Sequence, residues 1–262
     1  MTKTIGVLNE KGGVGKTATC INLAGCLVER GFRCLVIDFD PQGSAGEHLG
    51  VVSSGEELLA AVLGDHSLTE LVLETESGLD LIASGPALQG LIEANRRARE
   101  RLLQKAFEAL PKEEWDFIFI DAPARNDALS DNVLVASDSV IVPVECKNQS
   151  LTPLLRLLDT IRQVQQDFEA PREIVGIVPT LYKSGTRMSE DFVQALRARL
   201  SDLVFDCLIR DNTHIGEAPR KHMVVSRYAP SSIGAADFRR LTDEFLLRIG
   251  TEVIEPRSAA NG

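Results

Sequence analysis

Short apolar runs alternate along this chain with longer stretches whose apolar residues recur at helical spacing. Ile5–Leu8 and Cys34–Ile37 are continuous apolar runs, the pattern of strands buried on both faces. Between them, Thr17–Arg30 places Ile21, Ala24, Leu27 and Val28 on one helical face and meets Gly31, a helix stop signal. The same reading gives strands at Leu79–Ala83, Phe117–Ile120, Ser139–Val144, Ile174–Pro179 and Cys207–Ile209. It gives helices at Glu56–Leu63, Leu68–Leu73, Leu88–Leu110 (stopped by Pro111), Asp127–Ala136, Leu151–Phe168, Ser189–Leu200 and Ala235–Ile249. In Leu151–Phe168, Leu154, Leu155, Leu158 and Ile161 are expected to face inward. Strand and helix alternate throughout, which predicts a doubly wound, mostly parallel α/β sheet with helices on both faces. One domain over residues 1–250 and a loose C-terminal tail, 251–262, are expected.

Composition narrows this only slightly. The net charge of -10 argues against attraction of the whole molecule to nucleic acid. From Tyr182 to Arg240, however, ten Lys or Arg face seven Asp or Glu, so this part is locally basic. The five cysteines are odd in number and form no CxxC pair, so neither a disulfide framework nor a zinc site is expected. No secretory signal pattern is visible, and no apolar run reaches the ~20 residues of a membrane span.

The chemistry concentrates after the first strand. Lys11-Gly12-Gly13-Val14-Gly15-Lys16-Thr17 joins that strand to a helix. Glycines let the backbone approach a phosphate and turn N–H groups toward it, and the helix N-terminus adds a positive dipole end. In the G-x-x-x-x-G-K-[ST] pattern Lys16 reaches the β- and γ-phosphates and the Thr17 hydroxyl ligates Mg²⁺. Glu10 occupies the first glycine position, so the loop is a deviant version. Lys11 is extra to the cradle: either a solvated charge or a second cation delivered to a phosphate, as an arginine finger is.

Two further segments carry acids at strand ends. Asp38 and Asp40 lie two residues apart, pointing the same way. Asp121 follows the apolar run Phe117–Ile120, the arrangement that places a carboxylate near Mg²⁺.

The loop resembles that of the ParA/MinD family of deviant Walker ATPases, KGGxGK[ST], and is nearest in character to ParA/Soj-type partition ATPases. Asp38-Phe39-Asp40-Pro41-Gln42-Gly43 is similar to the family's first switch, and Asp121-Ala122-Pro123 to its DxP switch. Glu217-Ala218-Pro219 after Asn212 is similar to the segment lining the base. Ala124 replaces the usual second Pro of the switch, and Ala18 the usual second hydroxyl after Lys16.

The resemblance implies an ATPase with ATP and Mg²⁺ as cofactors. Lys11, Lys16 and Asp40 are the implied catalytic residues, Lys11 acting across a nucleotide-sandwich homodimer and Asp40 orienting water. Gly12, Gly13, Val14, Gly15, Lys16, Thr17, Ala18, Thr180, Asn212 and Pro219 would bind nucleotide, with Thr180 facing the purine. Thr17, Asp38 and Asp121 would serve the metal.

It further implies a dimer that binds nonspecific DNA, positions a plasmid, chromosome or protein compartment, and is stimulated to hydrolyse by a ParB-like or cargo adaptor. The location would be cytoplasmic, on the nucleoid in the ATP state. Lys183, Arg187, Arg210, Arg220 and Lys221 are the candidate DNA contacts; the alternative is a solvated face, the reading given to Arg96, Arg97, Arg99 and Arg101. A MinD-like membrane cycle is the competing function. The acidic tail Glu252–Arg257, which contains Pro256, lacks the basic amphipathic helix that such a cycle needs, so no membrane anchor is expected. Iron–sulfur chemistry would need cysteines placed to hold a cluster between subunits; Cys146 lies after a strand, but no suitable second cysteine follows Asp121.

Overall fold

Seven strands form one sheet: β1 (Lys3–Val7), β2 (Cys34–Asp38), β3 (Leu73–Glu74), β4 (Asp80–Ile82), β5 (Phe117–Asp121), β6 (Ser139–Glu145) and β7 (Glu173–Thr180). Their order is β3-β4-β2-β5-β1-β6-β7, all parallel except the short edge strand β3. The structure is a computed structural model and describes residues 2–93, 99–111, 113–125, 127–168 and 173–251. The expected tail beyond Thr251, the positions Arg96 and Arg97 and the Arg99 side chain lie outside the described residues.

The connecting helices are α1 (Lys16–Glu29), α2 (Ser44–His48), α3 (Glu56–Leu63), α4 (Gly90–Glu93), α5 (Leu102–Ala106), α6 (Ala128–Ala136), α7 (Leu151–Asp167), α8 (Arg187–Leu200), α9 (Thr213–Glu217), α10 (Val225–Tyr228) and α11 (Ile233–Arg248). They divide into two layers. Ile118 and Ile120 of β5 pack into a core shared with α3, α5, α6, α7 and α8. Phe117 and Phe119 of the same strand point the other way, into a core shared with α1, α10 and α11. A period-2 strand covered on both faces has no polar face, which is why β2 and β5 are buried at every position. Each large apolar side chain in them contributes about 1.5–3 kcal/mol on burial, and the terminal Asp38 and Asp121 do not.

Three expected elements differ. Leu88–Leu110 is not one helix: α4 and α5 are flanked by 3₁₀ turns, and Arg101 leaves helical geometry at φ -105° and ψ 5°. The Asn132 side chain of α6 accepts from the Leu103 N–H at 2.9 Å, giving the interrupted backbone a partner that periodicity cannot reveal. Leu68–Leu71 is a 3₁₀ turn leading into β3. Cys207–Ile209 forms no strand; this segment touches the β7 edge only at intervals, through Phe205 N–H to Ile177 O and Ile209 N–H to Pro179 O, both 2.9 Å. In α7, Leu157 is buried while Leu155 is only half-buried. The described cysteines are all free.

Candidate nucleotide site at the ends of the central strands

Residues 9–15 leave the carboxyl end of β1 and close over the N-terminus of α1. Gly13 and Gly15 adopt φ values of 73° and 86°, which a side chain would strain. Gly15 is also the N-cap of α1, and no side chain caps that end. The first turn contains no acidic residue. The opening N–H groups of a 14-residue helix therefore point into the loop with their dipole uncompensated, a setting for an anion. Lys16 begins the helix as a buried residue, and its ammonium donates to the Lys11 carbonyl oxygen at 3.4 Å. Burial pushes the Lys16 pKa down against the opposing pull of Asp121 and Asp40. A phosphate there would add to the counter-charge of Asp121 and Asp40.

Register assembles the acids. Asp38 and Asp121 are paired positions of adjacent β2 and β5, and Val7, just before the loop, is paired with Asp121 on the other side. Both carboxylates are fully buried. Burial, and next the Asp38 carboxylate, raises Asp121 to about 8. Burial raises Asp38 to about 6, although backbone N–H groups oppose the shift. Thr17 Oγ1 donates to Asp121 Oδ2 at 2.6 Å, while Asp121 Oδ1 has no hydrogen-bond partner among the described residues. A buried carboxylate with a free oxygen, beside a hydroxyl whose proton is already directed away, is a fitting donor set for a hard cation.

Asp38 is less available. Its Oδ2 accepts from the Ala45 and Gly46 N–H groups at 2.9 and 3.0 Å, and its Oδ1 accepts from Asp40 N–H at 3.1 Å. The structure thus gives Asp38 the task of folding the segment after β2, beyond the metal role expected from sequence. That fold leaves Asp40 half-buried at the site, its Oδ1 accepting from Gln42 N–H at 3.0 Å. Among the described residues no cluster of three or more His, Cys, Asp or Glu side chains could hold a metal alone. A magnesium site completed by nucleotide phosphates needs no such cluster.

Lys11 lies in the opposite direction. Its ammonium meets Glu145 Oε2 at 2.6 Å, and Lys147 pairs with Glu145 Oε1. Asn9 ties this region together: its Oδ1 accepts from Lys11 N–H at 2.9 Å, and its Nδ2 donates to Pro143 O at 2.7 Å. Sequence reasoning singled out neither Asn9 nor Glu145. Glu145 carried the signal used for Asp121, an acid at the end of an apolar strand.

In the C-terminal half two of the candidate residues have partners within the chain. Thr180, expected to face the purine, donates its hydroxyl to Val14 O at 2.7 Å and so buttresses the phosphate loop. Arg210, expected as a DNA contact, grips buried Asp237 through Nε at 2.9 Å and Nη2 at 2.5 Å, with Arg240 on the same carboxylate. Its charge is committed inside the fold.

The remaining candidates are exposed. Lys183 lies 3.6 Å from Asp211, while Arg187, Arg220 and Lys221 have no ion-pair partner among the described residues. Asn212 caps α9, its Oδ1 accepting from His214 N–H at 3.1 Å, and Pro219 sits half-buried in the following 3₁₀ turn. Arg101 stacks on the Phe168 ring at 5.1 Å while remaining exposed. A cleft of about 520 Å³ near Tyr182, Cys207 and Arg240 stands apart from the phosphate loop, and its arginines already hold Asp237. No described helix is long and apolar enough to cross a membrane.

The chain as a whole has close counterparts. A family model described as an AAA domain matches residues 2–174. The chain is 34% identical to the chromosome-partitioning ATPase Soj of Thermus thermophilus, over 94% of this chain and 96% of that protein. It is 33% identical to the chromosome partitioning protein ParA of Caulobacter vibrioides, covering 94% of each. Among solved structures it is similar to the cobyrinic acid a,c-diamide synthase from Mycobacterium smegmatis with bound ADP and magnesium, at 29% identity, TM-score 0.83 and full coverage of both chains.

Proposed function

Since this chain belongs to the AAA-domain family that includes the Soj and ParA chromosome-partitioning proteins, we propose that it is an ATPase of that kind. In this reading ATP closes a homodimer, the dimer binds DNA without sequence preference and carries a cargo, and an adaptor protein accelerates hydrolysis. Residues 1–250 act as the ATPase unit, with 251–262 appended. The observation that carries the reading is the convergence, on one uncapped helix N-terminus, of buried Lys16, the Thr17–Asp121 pair with its free Asp121 oxygen, and Asp40.

Each residue then has a task. Gly12 to Ala18 present backbone N–H groups to the phosphates, and Lys16 neutralises the β- and γ-phosphate oxygens as charge moves onto them. The Thr17 hydroxyl oxygen and Asp121 would hold Mg²⁺, which would screen the phosphates and so ease attack. Asp40 orients the attacking water. Lys11 adds a cation to the other subunit's phosphates. Asn212 and Pro219 flank the base, and Thr180 holds the loop rather than the base. Exposed Arg187, Arg220 and Lys221, with Lys183, make salt-sensitive contacts to DNA phosphates.

The test is retention of nonspecific duplex DNA by the full chain with Mg·ATP and with Mg·ADP over a range of salt. Retention with ATP only, weakening steeply with salt, is the expected result. Phosphate release without any DNA retention would leave an ATPase but overturn the DNA-carrying reading. Lys16→Ala that still bound and hydrolysed ATP would overturn the nucleotide site itself.

A further inference from the structure

The Lys11 ammonium already has a partner within its own subunit. Glu145 stands at the end of β6, next to the strand that carries the phosphate loop, with its side chain 10% exposed. Lys11 occupies one carboxylate oxygen at 2.6 Å and Lys147 the other. The two lysines outweigh the upward push of burial, so the Glu145 carboxyl lies below its usual range and is ionised at neutral pH. The Lys11 backbone cannot shift freely. Its N–H is held by Asn9, which is anchored to Pro143 of the same strand β6, and its carbonyl faces Lys16. Freedom remains only in the Lys11 side chain, which is 39% exposed.

A phosphate of a second copy of this chain and Glu145 Oε2 compete for the one positive charge of Lys11. We propose that Glu145 is a positioning residue that holds Lys11 in cis, and that Lys147 makes the hold reversible. When Lys11 leaves, Glu145 keeps one cation and is not stranded as a buried bare charge. The closed dimer therefore forms only when a phosphate competes successfully for Lys11, and the exchange is one ion pair for another. This inference rests on the dimer reading above.

Sedimentation of the full chain with Mg²⁺ and a non-hydrolysable ATP analogue separates the two. Glu145→Gln is expected to lower the dimer dissociation constant about two- to fivefold, the size of a partly exposed ion pair. Lys147→Met is expected to raise it by a similar factor, because Glu145 then has Lys11 alone. In a Lys11→Ala background the Glu145→Gln effect is expected to vanish, which no merely structural role of Glu145 would produce. Binding of a fluorescent ATP analogue to dilute monomer should be the same in wild type and Glu145→Gln. A wild-type chain that stays monomeric with the analogue would overturn the dimer reading itself. A wild type that dimerises while Glu145→Gln dimerises no better, or keeps its gain without Lys11, would overturn the cis hold alone.

Discussion

Asp38 and Asp121 face each other across the β2–β5 ladder as registered partners at the carboxyl ends of their strands, both fully buried. Two carboxylates so placed cannot both ionise cheaply. The pair therefore makes protonation, metal binding and stability one linked problem.

The sign follows from the raised values. Asp121 titrates at about 8 in the folded chain against about 3.9 when unfolded. Between these values the folded state binds more protons, so its advantage is greatest at low pH and is lost as pH rises through about 8. The ligand-free protein should show a melting temperature that falls from mildly acidic to mildly alkaline pH. Asp121→Asn should flatten that slope in thermal melts and abolish Mg²⁺-dependent hydrolysis. A mutant slope equal to wild type would refute the assignment.

Thr180→Val keeps the side-chain volume but leaves Val14 O without its donor. One hydrogen bond of about 1 kcal/mol corresponds to roughly a fivefold loss. Nucleotide affinity by titration calorimetry should fall by about that factor. A selective loss of purine discrimination would instead return Thr180 to the base.

Arg210 and the pair Arg220–Lys221 should behave oppositely on DNA. Substituting Arg220 and Lys221 by Ala should reduce the slope of log affinity against log salt by about two and leave melting unchanged. Arg210→Ala should leave the salt slope alone and lower the melting temperature, because it unbinds buried Asp237. Its guanidinium is 32% exposed, so a cost of about 1–2 kcal/mol is expected rather than that of a fully buried pair.

Thr17→Val removes the hydroxyl that pairs with Asp121. It should leave a fully buried carboxylate with neither the Thr17 partner nor a metal partner. Mg²⁺-dependent ATP affinity should drop on the order of tenfold or more, while metal-free nucleotide binding changes little. Equal losses with and without Mg²⁺ would show that Thr17 serves the loop and not the cation.

Much of this was legible because chemistry and backbone demanded particular residue types. Gly13 and Gly15 are required by their φ values, and an apolar run ending in an acid marks the end of β5. What stayed hidden depends on distant partners. Arg210 reads as surface charge until Asp237, inside α11, is seen on its guanidinium. The break before α5 depends on an amide from α6. Glu145 gains meaning only when a lysine 134 positions earlier is found on its carboxylate.

The two-faced β5 strand also constrains how this protein can evolve. Phe117 and Phe119 fill one core, Ile118 and Ile120 the other, and Asp121 closes the same five-residue strand. Deleting or inserting one residue there would swap every side chain to the wrong layer and rotate the carboxylate away from Thr17. The chain can lose its acid by substitution and stay folded, but it cannot shift the acid along the strand. The site's position is inherited with the core and can change only if both cores are rebuilt.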